Sequence, residues 1–218
     1  MEITFLGHSC FLIKSKEARI VIDPYDEKTG AKLMPLKADI VAVTHNHFDH
    51  NNAGAVSGNE PGTKPKLLDG PGEYEMQGAE IIGVSSFHDD KKGAERGLNT
   101  IYLFNLEEMG ICHLGDLGQS ALSDEQLDKL STVDILMVPV GGRYCLDAKR
   151  AVSIINQIEP KIVIPMHYME PWLSELKFDS LLDFIKEIGM DHETLDVLKI
   201  QKADLPPEER KLIVLNKK

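Results

Sequence analysis

Short apolar runs separated by polar breaks dominate the hydrophobic pattern of the chain. Three such runs, at residues 2–6, 10–13 and 18–22, are rich in β-branched and aromatic residues and predict a meander of β-strands closed by Asp23 and Pro24. Residues 39–44 are almost continuously apolar, which is typical of a strand buried on both faces. Similar runs predict further strands at residues 80–85, 100–106, 110–114, 134–140, 161–165 and 211–215.

Helical patterns are concentrated in the second half of the chain. A helix capped by Ser123 is predicted up to about residue 130, and one capped by Asp147 up to about residue 158. A third helix is predicted to begin at Ser174 or Asp179 and to end near Gly189. Many strands with interspersed helices predict two packed sheets with helices outside them, in a single domain spanning residues 1–218.

Composition and charge narrow the class of protein. The 218 residues are 42% hydrophobic and 27% charged, as in an ordinary globular domain with one substantial core. No apolar run approaches the ~20 residues that cross a bilayer, and residues 1–8 lack the pattern of a secretory signal, so we expect a cytoplasmic protein with no membrane partner. The formal net charge of −11 disfavours nucleic acid as a partner, because phosphate contacts need Lys and Arg.

The densest chemical signal is the segment 45–50, which directly follows the buried run 39–44. Four potential metal ligands fall within these six residues: His45, His47, Asp49 and His50. Alternate residues of an extended chain point the same way, so His45 and His47 can grip one ion. The chain must then turn, which brings Asp49 and His50 toward a second ion. Imidazoles and carboxylates are ligands that Zn²⁺ and similar ions prefer, so the segment favours a site for two metals.

Three later candidates occur in the same context, because each follows a predicted strand. They are His88, Asp116 and His167. Sites assembled on loops at one edge of a sheet follow this plan.

These residues carry a resemblance to a known family. The run His45-Asn46-His47-Phe48-Asp49-His50 resembles the H-x-H-x-D-H signature of the metallo-β-lactamase superfamily, and His88, Asp116 and His167 are similar to its later ligands in the same order. Leu6-Gly7-His8-Ser9, Asp23-Pro24 and Pro71-Gly72-Glu73-Tyr74 resemble its branch of small hydrolases near the ascorbate-6-phosphate lactonases.

The resemblance implies an αββα sandwich of two mixed β-sheets flanked by helices, with two divalent metal ions at one end. The first metal would be held by His45, His47 and His88, the second by Asp49, His50 and His167, and Asp116 would bridge them. Zinc is the expected metal, with manganese or iron as alternatives.

The expected activity is hydrolysis of a small ester, lactone or phosphate ester. Two such ions lower the pKa of a bridging water, and the resulting hydroxide attacks carbon or phosphorus. Asp49 is expected to orient this nucleophile. Two alternatives stay open, a phosphodiesterase or ribonuclease of the same superfamily and a non-catalytic metal-binding protein. The net charge counts against the first, and the complete ligand set counts against the second.

Further candidates have two interpretations each. His8 is expected to contact substrate or a metal ligand, against a structural histidine in a tight turn. Arg143, in a Gly-rich loop, is a candidate for an anionic substrate group, against a plain turn into the next helix. The charged loop 89–96 is a candidate rim for an anionic substrate, against a solvated loop. A small-molecule substrate is the expected partner, and assembly into a homo-oligomer is left open.

Two remaining residues receive structural predictions. Cys145 is the cysteine expected to be exposed, because it lies in the same Gly-rich loop as Arg143. His113 lies inside the strand that leads to Asp116, so it is predicted to be a hydrogen-bonded core histidine.

Overall fold

Two β-sheets form the body of the molecule in the computed structural model, which describes residues 1–173 and 177–218. Its strands are, in chain order, β1 (Glu2–Gly7), β2 (Cys10–Lys14), β3 (Arg19–Ile22), β4 (Leu36–Lys37), β5 (Ile40–Ala42), β6 (Val56–Ser57), β7 (Lys66–Leu68), β8 (Gly72–Met76), β9 (Ala79–Phe87), β10 (Leu98–Leu106), β11 (Met109–His113), β12 (Ile135–Pro139), β13 (Ile162–Met166), β14 (His192–Leu195), β15 (Leu198–Lys199) and β16 (Lys211–Leu215). One sheet has the order β15-β1-β2-β3-β5-β7 and the other β14-β16-β13-β12-β11-β10-β9-β8, while β4 and β6 form a separate pair.

Three α-helices lie within the described ranges: α1 (Asp124–Lys129), α2 (Ala148–Ile158) and α3 (Leu181–Ile188). The first two begin at the predicted caps, because the side chains of Ser123 and Asp147 accept backbone N–H groups of their first turns. The third begins after Ser180, whose hydroxyl forms a reciprocal capping box with Asp183. The predicted start at Asp179 is therefore one residue early, and the alternative start at Ser174 lies outside the described residues.

The main core lies between the two sheets. Alternate residues of β1, β2 and β3, such as Phe5, Phe11 and Ile20, are buried against the inner face of the larger sheet, where Phe104 and Ile111 lie. Burying these apolar side chains removes them from water and supplies the main driving force for sheet stacking.

The outer face of the smaller sheet is covered by a second, smaller apolar cluster. Leu12, Val21 and Val41 are buried there against Tyr25, which precedes a 3-10 turn, and Val56 of β6. The described helices contact the larger sheet or each other: α1 packs on β9, α2 on β12, and α3 on α2. The predicted class of two mixed sheets is confirmed. The outer layer on the smaller sheet consists of loops, 3-10 turns and the short β4–β6 pair.

Strand direction explains where the chemistry collects. β1, β3 and β5 run in one direction in the smaller sheet, since β2 is antiparallel to both β1 and β3 and β5 is parallel to β3. β9, β11, β12 and β13 likewise share one direction in the larger sheet. The carboxyl ends of these strands meet at one end of the sandwich, so the residues that follow them converge.

Several short strands were missed by the sequence analysis, among them β7, β8, β14 and β15. Their residues are mostly exposed or half-buried, so no apolar run marks them. Each extends a sheet by pairing with a buried neighbour; β8, for example, pairs along its whole length with β9. Among the described residues, no helix is long and apolar enough to cross a membrane.

Candidate metal centre

The loops at this end of the sandwich bring together all seven residues proposed as metal ligands. Potential ligand atoms lie within 4.8 Å of one another in three groups: His45, His47 and His88; His8, Asp49, His50 and His167; and His45, His50 and Asp116. The first two groups coincide with the two predicted triads, with His8 added to the second. The third group joins them through Asp116.

Asp116 lies at the centre of the cluster. Its Oδ2 is 3.0 Å from His167 Nε2, 3.3 Å from His50 Nε2 and 3.4 Å from His88 Nε2. The side chain is almost fully buried, and its Oδ1 has no hydrogen-bond partner among the described residues. A buried carboxylate oxygen without a donor is costly unless a cation compensates it.

The turn that carries Asp116 is built by Asn99 and Gly115. The Asn99 amide donates to Ser86 Oγ and to the Leu114 carbonyl, and its Oδ1 accepts the Asp116 N–H at 3.0 Å. Gly115 has a φ of +57°, and a Cβ at this position would collide with the Asn99 and Thr44 side chains. Asn99 therefore supports the loop that carries Asp116.

The pKa values of the histidines differ between the part of the cluster close to the carboxylates and the rest. Burial disfavours the charged form of His167, but Asp116 outweighs burial and raises the pKa of His167 to about 10. The same competition raises the pKa of His50 well above its usual value. Burial prevails at His45 and His88 and lowers the pKa of both imidazoles. The buried carboxylates thus favour positive charge at the centre of the cluster, which protons on His50 and His167 supply in the metal-free protein.

The donor set fits divalent metal ions. Several buried ring nitrogens have no hydrogen-bond partner among the described residues: His45 Nε2, His50 Nε2, His88 Nδ1 and His167 Nε2. The Nε2 atoms of His45, His50 and His167 lie 3.0 to 3.9 Å from Asp116 Oδ2. Imidazole nitrogen with carboxylate oxygen is the ligand chemistry of zinc and related ions. A divalent ion would satisfy these orphaned atoms together.

Asp23 is a site residue that the sequence analysis did not assign. It follows β3, is fully buried, and accepts His50 Nδ1 at 2.8 Å. The same carboxylate accepts the Thr44 N–H at 2.8 Å and the Thr44 hydroxyl at 2.7 Å. Asp23 therefore fixes both the ring of His50 and the start of the ligand loop. The Asp-Pro step after an apolar strand is the only sequence signal for it.

His8 lies inside the second ligand group. It is fully buried, has a φ of +58°, and its Nε2 is 3.1 Å from Asp49 Oδ2. Its backbone N–H donates to Glu170 Oε2 at 2.7 Å, and its carbonyl accepts the His167 N–H at 2.8 Å. Burial lowers the pKa of His8 to about 4, so the ring is neutral near pH 7. The residue sits in a tight turn and also contacts a candidate ligand, so both interpretations of His8 describe part of its environment.

Cys145 and His113 are buried beside the candidate ligands. Cys145 is buried, with its Sγ 3.4 Å from His167 Nδ1, so the expectation of an exposed thiol was wrong. The loop folds inward because Gly142 accepts the Cys145 N–H at 3.1 Å. His113 is fully buried between the Ser9 carbonyl at 2.9 Å and the Gly115 N–H at 3.1 Å, as predicted for a core histidine.

Arg143 and the loop 89–96 border the centre on the His88 side. Arg143 is exposed and has a φ of +49°. Backbone N–H groups within the loop donate to the Asp89 carboxylate, which closes the loop on itself. A cavity between the two segments is lined by His88, Arg96 and Arg143.

The pKa shifts predict a bell-shaped stability profile for the metal-free protein. His167 binds its proton more tightly when folded, so this stabilisation is complete below the usual pKa of 6.5 and is lost as the pH rises toward about 10. His8 resists protonation when folded, so its contribution is present above pH 6.5 and is lost as the pH falls toward about 4. Melting temperatures of chelated protein between pH 4 and pH 10 will fall on both sides of a maximum near pH 6.5.

Added metal changes the expected profile on one side. A ligating imidazole carries no proton on its bound nitrogen, so metal-loaded protein will lose the decline between pH 6.5 and pH 10. A chelated protein whose melting temperature rises steadily over that range would contradict the assigned proton on His167.

Comparisons with known proteins agree with this architecture. A family model described as a beta-lactamase superfamily domain matches residues 2–167. A UPF0173 protein of Pyrococcus abyssi is 31% identical over 188 residues, covering 77% of this chain and 83% of the relative. A UPF0173 metal-dependent hydrolase of Methanosarcina mazei is 30% identical over 194 residues, with coverage of 77% and 83%.

A crystal structure of a Thermotoga maritima protein of the metallo-β-lactamase superfamily has the same fold. It superposes with a TM-score of 0.79 at 33% identity, over 98% of this chain and 97% of that one. Its description is that of a candidate zinc-dependent hydrolase. The shared fold thus extends beyond the match to the family model, through the strands that follow residue 167.

Proposed function

Because the chain belongs to the metallo-β-lactamase superfamily, we propose that it is a metal-dependent hydrolase that cleaves a small ester, lactone or phosphate ester. One observation carries the proposal. Buried imidazole nitrogens and a buried carboxylate oxygen lie close together and have no hydrogen-bond partners among the described residues. They lie at the strand ends that carry the seven candidate metal ligands. A purely structural cluster would satisfy these atoms internally.

We assign the residues to two ions. The first would be held by His45, His47 and His88, the second by Asp49, His50 and His167, with Asp116 shared between them. The grouping of ligand atoms within 4.8 Å supports this division. The nitrogen and oxygen donors favour zinc, with manganese and iron as alternatives.

The chain's own residues define the rest of the mechanism. When bound, the two ions supply Lewis acidity that makes water a nucleophile near neutral pH. Asp49 accepts a hydrogen bond from His8 Nε2, so the neutral ring of His8 fixes the orientation of this carboxylate. Asp23 fixes His50 in the same way from the opposite side. His8 and Asp23 are positioning residues, and Asp49 is the candidate for orienting water and moving its proton.

The test combines metal content with turnover. We would purify the chain without added metal, count bound metal by elemental analysis, and assay aryl esters, lactones and phosphate mono- and diesters. About two ions per chain and turnover of at least one neutral or anionic ester are expected. His88→Ala will lose metal and activity, whereas His192→Ala, which removes an exposed histidine from β14, will retain both.

Two outcomes decide between the alternatives. A chain that binds two ions but turns over no substrate class is a metal-binding protein. A chain that binds no metal after reconstitution with Zn²⁺, Mn²⁺ and Fe²⁺ overturns the proposal entirely.

A further inference from the structure

A cavity of about 200 Å³ opens beside the metal centre on its His88 side. Its lining includes His88, Arg96, Arg143, Tyr144, Cys145 and Arg150. These residues come from the loop after β9, the loop after β12 and the first turn of α2. Two of them touch the centre directly: His88 is a candidate ligand, and Cys145 Sγ lies against His167 Nδ1.

The cavity concentrates cationic side chains in an acidic protein. Arg96, Arg143 and Arg150 all line it, although the formal net charge of the chain is −11. Among the described residues, no carboxylate lies within ion-pair distance of Arg96 or Arg143. Arg96 and Arg143 are therefore guanidinium groups without a carboxylate partner in the described part of the chain, in a protein whose overall charge disfavours anions.

Asp89, Asp90 and Glu95 also line the cavity, so three carboxylates accompany its three guanidinium groups. The Asp89 carboxylate accepts backbone N–H groups of its own loop at 2.8 to 2.9 Å. The Glu95 carboxylate pairs with the side chain of Lys91, four residues earlier in the same loop. Asp90 is exposed to solvent. Asp89 and Glu95 therefore have partners other than the arginines that line the cavity.

Two of the three guanidinium groups, those of Arg96 and Arg150, are held in place before any ligand arrives. Arg150 Nε lies 3.2 Å from Asp147 Oδ2, and its Nη2 donates to the Cys145 carbonyl at 3.4 Å. The Arg96 guanidinium lies 4.8 Å from the centre of the Tyr144 ring, as in a cation–π contact. Arg143 projects from a left-handed turn next to Gly142. Side chains that are already ordered lose less entropy when they bind a ligand.

We propose that this cavity is an anion subsite for the substrate. A guanidinium fork matches the paired oxygens of a carboxylate or phosphate, and a planar fork with several donors binds them more specifically than Lys does. The substrate would carry such an oxyanion away from the bond that is cleaved, so that the anion rests on the arginines while the reacting group reaches the metal ligands. This inference rests on the proposed hydrolase function and names the class of substrate.

Binding of simple anions tests the subsite without turnover. Inorganic phosphate and succinate would be titrated calorimetrically into the full chain, as purified and after chelation, to separate the arginine cavity from the metals. We expect at least one anion to bind the chelated protein, and Arg96→Gln and Arg143→Gln each to weaken it more than about tenfold, as for a lost charge-assisted hydrogen bond. Lys149→Gln removes the same charge from an exposed position of α2 outside the cavity and should leave the affinity unchanged.

Kinetics then tie the subsite to catalysis. For a matched pair of aryl esters, 4-nitrophenyl butyrate and the 4-nitrophenyl monoester of glutarate, Arg143→Gln should lower the anionic-to-neutral ratio of kcat/KM more than about tenfold, mainly through KM. A chelated wild-type chain that binds neither phosphate nor succinate would overturn the inference, as would an unchanged ratio. Anion binding by a chain with no turnover of any ester would instead count against the hydrolase function alone.

Discussion

Asp116→Asn will remove most of the metal from the protein and, with it, the hydrolytic activity. The substitution keeps the size of the side chain but removes the charge from an atom that lies 3.0 to 3.9 Å from four imidazoles. Outer partners of metal ligands alone are worth about 10–100-fold in affinity, so loss of a shared ligand should cost more than about 100-fold. Competition with a chromophoric chelator measures the affinity, and elemental analysis measures the occupancy.

The same variant has a second readout in the absence of metal. Asp116 is the largest source of the raised pKa of His167, so Asp116→Asn should remove much of the alkaline decline in the stability of the chelated protein. Asp128→Asn removes an exposed carboxylate from α1 and serves as the control for net charge. Metal content equal to that of wild type in Asp116→Asn would show that Asp116 is not a shared ligand.

Asp23→Asn will weaken metal binding about 10–100-fold although the residue is not itself a proposed ligand. Its carboxylate accepts three hydrogen bonds, two from Thr44 and one from His50 Nδ1, at 2.7 to 2.8 Å. An amide offers one oxygen and turns a donor toward one of these groups, so at least one buried donor loses its partner. A hydrogen bond to a charged group contributes about 1.5–3 kcal/mol, so the free energy of unfolding should also fall.

A second carboxylate of the same sheet separates the two effects. Asp39 Oδ2 accepts the Arg19 N–H at 2.8 Å, far along β3 from the ligands. Asp39→Asn should therefore lower stability without changing metal affinity. If Asp23→Asn also left metal affinity unchanged while lowering the melting temperature, Asp23 would be a structural residue only.

The candidate site could be predicted from sequence because its signals are local. Four ligands occur within residues 45–50, and His88, Asp116 and His167 each follow an apolar strand, so parallel strand direction was enough to bring them together. The buried strands were predicted for the same reason. A strand buried on both faces is a continuous apolar run, which can be recognised without knowing how the strand pairs with its neighbours.

What the sequence could not supply depends on contacts between distant segments. Asp23 matters because β3 and β5 are neighbours in parallel register, which places its carboxylate beside Thr44 and His50. Cys145 is buried because its loop folds against His167, which lies 22 residues later in the sequence. The arginine cavity likewise joins a loop near residue 96 to one near residue 143, and no periodic pattern links them.

The order of strands has a consequence for how the chain acquires its structure during synthesis. Within residues 192–215, β15 pairs with β1 in the smaller sheet, whereas β16 lies between β13 and β14 in the larger one. Until this stretch has left the ribosome, β1 and β13 both present unpaired backbone, the kind of edge at which chains associate wrongly. All seven proposed ligands are translated earlier. A nascent chain therefore holds the complete set of metal donors before the last strands of either sheet have been added.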